Sequence, residues 1–151
     1  MMIKTLLILL AILSIQLVKA VELEPRIGLS CSHKWGLQTG ALLGFKVTDK
    51  FFIQPGVLLY SGDYWKRNTS KWDMGFNIPV YASFRLPVSE VTKIRLNAGP
   101  YLGIASLGRL GVSAEAGIDI KKVFVGIAVF QNCITDKNTQ LGASIGYRFS
   151  L

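Results

Sequence analysis

The chain is poor in the residues that most enzymes and metal sites rely on. It has one histidine, His33, and two cysteines, Cys31 and Cys133, too few for a metal-ligand cluster. His33 stands beside Ser30, Ser32 and Lys34. No acid accompanies it to orient a serine–histidine pair, so it reads as a solvated loop histidine. There is no glycine-rich phosphate loop and no paired catalytic carboxylate; Glu22 and Glu24 read as an amino-terminal tail. Neither catalysis nor a cofactor is expected. Long apolar runs are also missing: beyond residue 20 none reaches ten residues, which excludes further transmembrane helices. Yet 50% of the chain is apolar. That hydrophobicity must follow another period.

Residues 1–20 stand apart. Lys4 gives a positive start, residues 6–13 an apolar core, and Val18-Lys19-Ala20 a small-residue cleavage pattern. This is the layout of a secretory signal, removed after Ala20, leaving one domain over residues 21–151. The apolar run is too short to span a bilayer, which takes about 20 residues. Without Lys4 and Lys19, fifteen of the 17 basic residues remain against 9 acidic ones, a net charge of +6. Export argues against nucleic acid as the partner of that charge. The local cluster Lys66, Arg67 and Lys71 in a loop suits acidic lipopolysaccharide or another polyanionic surface, with plain solvation as the alternative.

The period is two. Trp72, Met74, Phe76, Ile78, Val80, Ala82, Phe84 and Leu86 are eight consecutive alternate positions, all apolar. A helix would scatter them around its axis, whereas a strand puts them on one face. Similar alternation recurs at 27–31, 37–47, 51–59, 94–104, 112–120, 123–129 and 141–151. The sequence therefore predicts an all-β, eight-stranded antiparallel up-and-down transmembrane β-barrel. Compact turns fall at 48–50, 87–92 and 121–122. Longer connections fall at 61–70, 106–111 and 133–139, the short-turn, long-loop layout of outer-membrane barrels.

Alternation alone does not say which face is outside. A soluble lipocalin-like barrel alternates too, with its apolar face around a ligand. A water-facing exterior should be rich in Lys and Glu. Here the polar face holds Gly75, Gly99, Gly103, Gly117, Gly126, Gly142 and Gly146, with Ser, Asn and Gln. Small residues suit the narrow interior of eight strands. The apolar face carries Trp35, Phe51, Trp72, Phe84, Tyr147 and Phe149 near strand ends, as two interfacial girdles would. The apolar face is expected to meet lipid.

Lys46, Asp73, Arg85, Arg95, Glu115, Asp119 and Arg148 then share the interior and must pair or reach water. Glu115 is expected to bridge Arg95, with Arg148 joining through the lumen. At eight strands a packed network is favoured over a conduction path. Cys31 and Cys133 fall on strands one and seven, about 10 Å apart at two strand spacings, beyond the usual disulfide separation, while an exported compartment permits a bridge if the strand ends bend. Trp65, Lys66, Arg67 and Asn68 in the 61–70 loop are the candidate outer contacts.

Four segments carry a family resemblance: residues 52–61 (FIQPGVLLYS), 77–80 (NIPV), 96–103 (LNAGPYLG) and 141–149 (LGASIGYRF). Together they resemble the PorT-like outer membrane protein β-barrel domain family of Bacteroidetes-type bacteria. The resemblance implies an eight-stranded barrel without catalytic residues. Such barrels usually end on an aromatic residue read by the barrel-assembly machinery, whereas here Ser150 and Leu151 follow Phe149. The expected role is structural or surface-interacting, in the bacterial outer membrane, with lipid, lipopolysaccharide, the assembly machinery and other envelope proteins as partners. A narrow porin-like channel or secretion component and a soluble ligand-binding barrel are the alternatives.

Overall fold

The computed structural model describes residues 2–17, 21–31, 35–61, 74–104, 108–133 and 139–151. A helix, α1 (Met2–Leu17), comes first. Among the described residues no helix is long and apolar enough to cross a membrane. Strands follow: β1 (Val21–Cys31), β2 (Trp35–Lys46), β3 (Phe51–Ser61), β4 (Met74–Pro87), β5 (Thr92–Ile104), β6 (Gly108–Ile120), β7 (Val123–Asn132) and β8 (Thr139–Tyr147). A two-residue β9 (Phe149–Ser150) continues the eighth strand beyond Arg148. Each of the eight has 9 to 14 residues, enough to cross a bilayer when tilted.

Every strand pairs antiparallel with the next, and β1 closes the ring. It pairs with β2 over its whole length, from Val21↔Phe45 to Cys31↔Trp35. On its other edge it pairs with β8 from Arg26↔Gly146 to Cys31↔Leu141, then with β9 at Leu23↔Phe149. Closure leaves no unpaired edge, the one sheet arrangement that satisfies all backbone groups in hydrocarbon. The first strand begins at Val21, so Glu22 and Glu24 are strand residues and not a tail.

The turns gather at one end. The β6–β7 connection is only Lys121–Lys122, and Lys121 has φ 56°. Two-residue hairpins need positive φ because the primed turns match strand twist. Neighbours pin this one: Lys121 N donates to Val91 O at 2.8 Å and Arg148 N to Lys122 O at 2.8 Å.

Alternate residues point outward as the period requires. Ile27, Leu37, Val57, Phe84, Leu96, Val112, Ile127 and Ile145 are all exposed, within a band of Val, Ile, Leu and Phe running round the barrel. Phe51 lies 5.0 Å from Phe84 and Tyr147 4.8 Å from Phe149, ring to ring, toward the turn end. Trp35 stands exposed at the other end. A ligand-binding soluble barrel would have this band inside; the structure has it outside.

Tight curvature brings some strands very close. A Cβ on Gly99 would sit 1.9 Å from Val80 O, and one on Gly28 2.0 Å from Ala143 O. Only glycine permits that approach. Gly99→Ala is expected to force β4 and β5 apart and cost about 1–3 kcal/mol, the usual range for overpacking. Unfolding by urea in micelles measures it.

Candidate functional site

The interior is divided along the axis. Toward the loop end, Leu58, Tyr101, Ala128 and Phe130 pack as an apolar cluster. Tyr101 meets Phe130 edge-on at 5.2 Å between ring centres. These side chains come from strands apolar on both faces, such as Val57-Leu58-Leu59 and Ala128-Val129-Phe130.

Toward the turn end the interior is ionic. Arg95 on β5 is fully buried and clamps two acids. Its Nε donates to Asp119 Oδ2 at 2.9 Å, and Nη2 to the other oxygen of the same carboxylate. Its Nη1 donates to both oxygens of Glu24, at 3.0 and 2.8 Å. Arg26 on β1 donates from Nε to Glu24 Oε1 at 2.7 Å and from Nη1 to Glu115 Oε2. Asn97 Nδ2 donates to Glu115 Oε1 at 2.6 Å. Arg85 Nη1 donates to Glu22 Oε2 at 2.9 Å. Arg148 lies 3.9 Å from both Glu22 and Asp119.

The four acids Glu22, Glu24, Glu115 and Asp119 thus meet four arginines, Arg26, Arg85, Arg95 and Arg148. The charge cancels, as burial demands. Aromatic rings complete the packing. Phe124 lies under both Arg26 and Arg95, with Cζ 4.3 and 4.4 Å from the ring centre. Phe52 lies 3.7 Å under Arg85. Planar guanidinium groups stack on ring faces while keeping their in-plane N–H groups for carboxylates.

Of the interior charges expected from sequence, Arg85, Arg95, Glu115 and Asp119 are buried and Arg148 is half-buried. Two expectations need correction. Lys46 is not in the interior: it sits at the turn-end tip of β2, exposed, 2.9 Å from Asp49. Its hydrogen bond holds the Asp49 carboxyl below the usual carboxylate range. Glu115 does not bridge Arg95: its partners are Arg26 and Asn97. Asp73, His33, Trp72 and the contact candidates Trp65, Lys66, Arg67 and Asn68 lie outside the described residues. Sequence reading missed Glu22, Glu24 and Arg26. Their signal was the alternation Val21, Leu23, Pro25, Ile27, which carries the strand back to residue 21.

Among the described residues, no group of three metal-binding side chains occurs. Cys31 and Cys133 are free thiols.

No family model matches the chain, and no curated protein does. Solved structures do. Neisserial surface protein A superposes with a TM-score of 0.67 at 14% identity, over 87% of this chain and 96% of that one. The N-terminal β-barrel domain of Pseudomonas aeruginosa OprF gives 0.56 at 14% identity, over 86% and 97%. A de novo designed transmembrane β-barrel gives 0.52 at 12% identity, over 86% and 95%. In closure, strand number and direction, the chain has the fold of the small eight-stranded outer-membrane barrels.

Proposed function

We propose that the chain is an outer-membrane barrel with a structural or surface-interaction role, exported by residues 1–20 and without catalysis. The observation that carries this reading is the buried ion-pair network inside the barrel. A channel needs a water-continuous path, yet Arg95, Arg26, Glu24 and Asp119 are all at or below 3% exposure toward the turn end of the barrel. The stable part of the molecule is then a scaffold. Its exterior binds membrane lipid through the apolar band. Its longer connections, including Trp65, Lys66, Arg67 and Asn68, are proposed to meet lipopolysaccharide or other envelope proteins. The PorT-like resemblance and recognition by the barrel-assembly machinery belong to the same reading.

Planar-bilayer recording on the purified, heat-modifiable protein tests it. The expected result is a baseline current with no discrete steps. Stable conductance steps would instead assign the chain to transport or to a secretion apparatus.

A further inference from the structure

Several buried polar atoms on one wall of the interior have no protein partner. Gln54 on β3 is fully buried, and neither its amide nitrogen nor its oxygen is bonded. The same holds for Ser83 Oγ and for Nε and Nη2 of Arg85, both residues on β4. On β5, Asn97 Oδ1 is likewise unbonded. These residues adjoin one another. Ser83 is the direct cross-strand neighbour of Asn97. Gln54 faces Tyr81, two positions from Ser83. Arg85 lies two positions further on the same face.

The backbone beside them leaves space for at least one further atom. A Cβ built on Gly44 would meet nothing closer than 3.4 Å, and the atoms it would meet are Glu22 Cβ and Oε2, both at 3.4 Å, and Gln54 Nε2 at 3.5 Å. At Gly40 and Gly99 the same Cβ would lie within 2.2 Å of backbone, and at Gly56 it would lie 2.2 Å from Leu42 Cδ2. The inner side of Gly44 is therefore a small polar space between a carboxylate and an amide.

We propose that this wall binds a file of ordered water molecules, running from Glu22 past Gly44 and Gln54 to Ser83, Arg85 and Asn97. The chemistry selects water over an anion. The unpaired set mixes donors, on Arg85 and Gln54, with acceptors, on Gln54 and Asn97, and Glu22 lines the space. A molecule that both donates and accepts satisfies it; a halide or phosphate would face carbonyl oxygens and a carboxylate. Buried waters typically make about three bonds to such groups. The outer end reaches solvent, since the Glu22 side chain keeps 20% exposure.

Gly44→Ala separates a wet space from a dry one. Gly44 has no left-handed φ and its methyl would meet only ordinary contacts. In a dry space the methyl fills a void and stiffens a strand, so the unfolding temperature should stay level or rise. In a hydrated space it displaces the water joining Gln54 to Glu22, and the unfolding temperature should fall by several degrees. Water–protein cross-relaxation by NMR in micelles gives the independent reading on the wild-type chain. Cross-peaks between water and the Gln54 side-chain amide are expected, and they should weaken in Gly44→Ala. An unchanged or raised unfolding temperature overturns the proposal, and so does the lack of water cross-peaks at Gln54.

Discussion

Arg95→Met should destabilise the barrel by about 3–5 kcal/mol, the cost of removing one partner from a buried ion pair. Arg95 is the counterion of two carboxylates at once. Its loss leaves Asp119 without its two-point clamp and Glu24 with Arg26 alone. Both acids are buried to 1% exposure or less, so water does not replace the lost bonds. Urea unfolding in micelles, read by the heat-modifiable shift on gels, measures the effect. A second variant controls for loss of fold: Arg95→Met with Asp119→Leu removes the orphaned charge and should recover a large part of the loss. Substituting an ion pair by well-packed apolar residues is often close to neutral. A single substitution costing under about 1 kcal/mol, the scale of an exposed pair, would mean that the network is solvated.

The second large effect lies on the opposite face. Ile127 sits mid-strand on β7, 66% exposed, paired across to Ala116 and Ala143. If the apolar band meets hydrocarbon, Ile127→Lys should cost about 2–4 kcal/mol, the cost of a lysine at the bilayer midplane. Ile120→Lys, on the last residue of β6 beside the turn, should cost about 0–1 kcal/mol. In a soluble barrel both lysines would face water and neither would matter. The difference between the two positions therefore reports depth, through unfolding free energies measured in lipid vesicles.

Much of the fold was legible because a strand writes its two faces in alternate residues. The clearest case, the alternation over residues 72–86, is met from residue 74 on by β4, with Phe76, Val80, Phe84 and Leu86 outward. Legibility failed where both faces are alike. Phe51-Phe52-Ile53 and Val123-Phe124-Val125 are continuous apolar runs, so nothing local marks Phe52 and Phe124 as the inward members that stack on arginines. It failed again at Glu22, Glu24 and Arg26. Charges directly after a cleavage pattern look like a solvated tail. What makes them interior is Arg95, Arg85 and Glu115, far along the chain. Lys46 erred the other way. Its parity points inward, but the strand ends there, and its side chain turns to Asp49. Parity assigns a face; only distance from the barrel rim decides whether that face is covered.

The pairing of β1 with β8 and β9 joins the first strand of the barrel to the last, at Arg26↔Gly146 and Leu23↔Phe149. During synthesis the first strand made waits for the last. Until then Glu24, Arg26 and their distant partners have no ring to hold them, and two sheet edges stay open. Contacts so remote in sequence are slow to form, and open edges invite pairing with other chains. The barrel therefore cannot close before β8 and β9 have been made. The chain's survival up to that moment depends on how fast closure follows completion, and on what shields the open edges meanwhile.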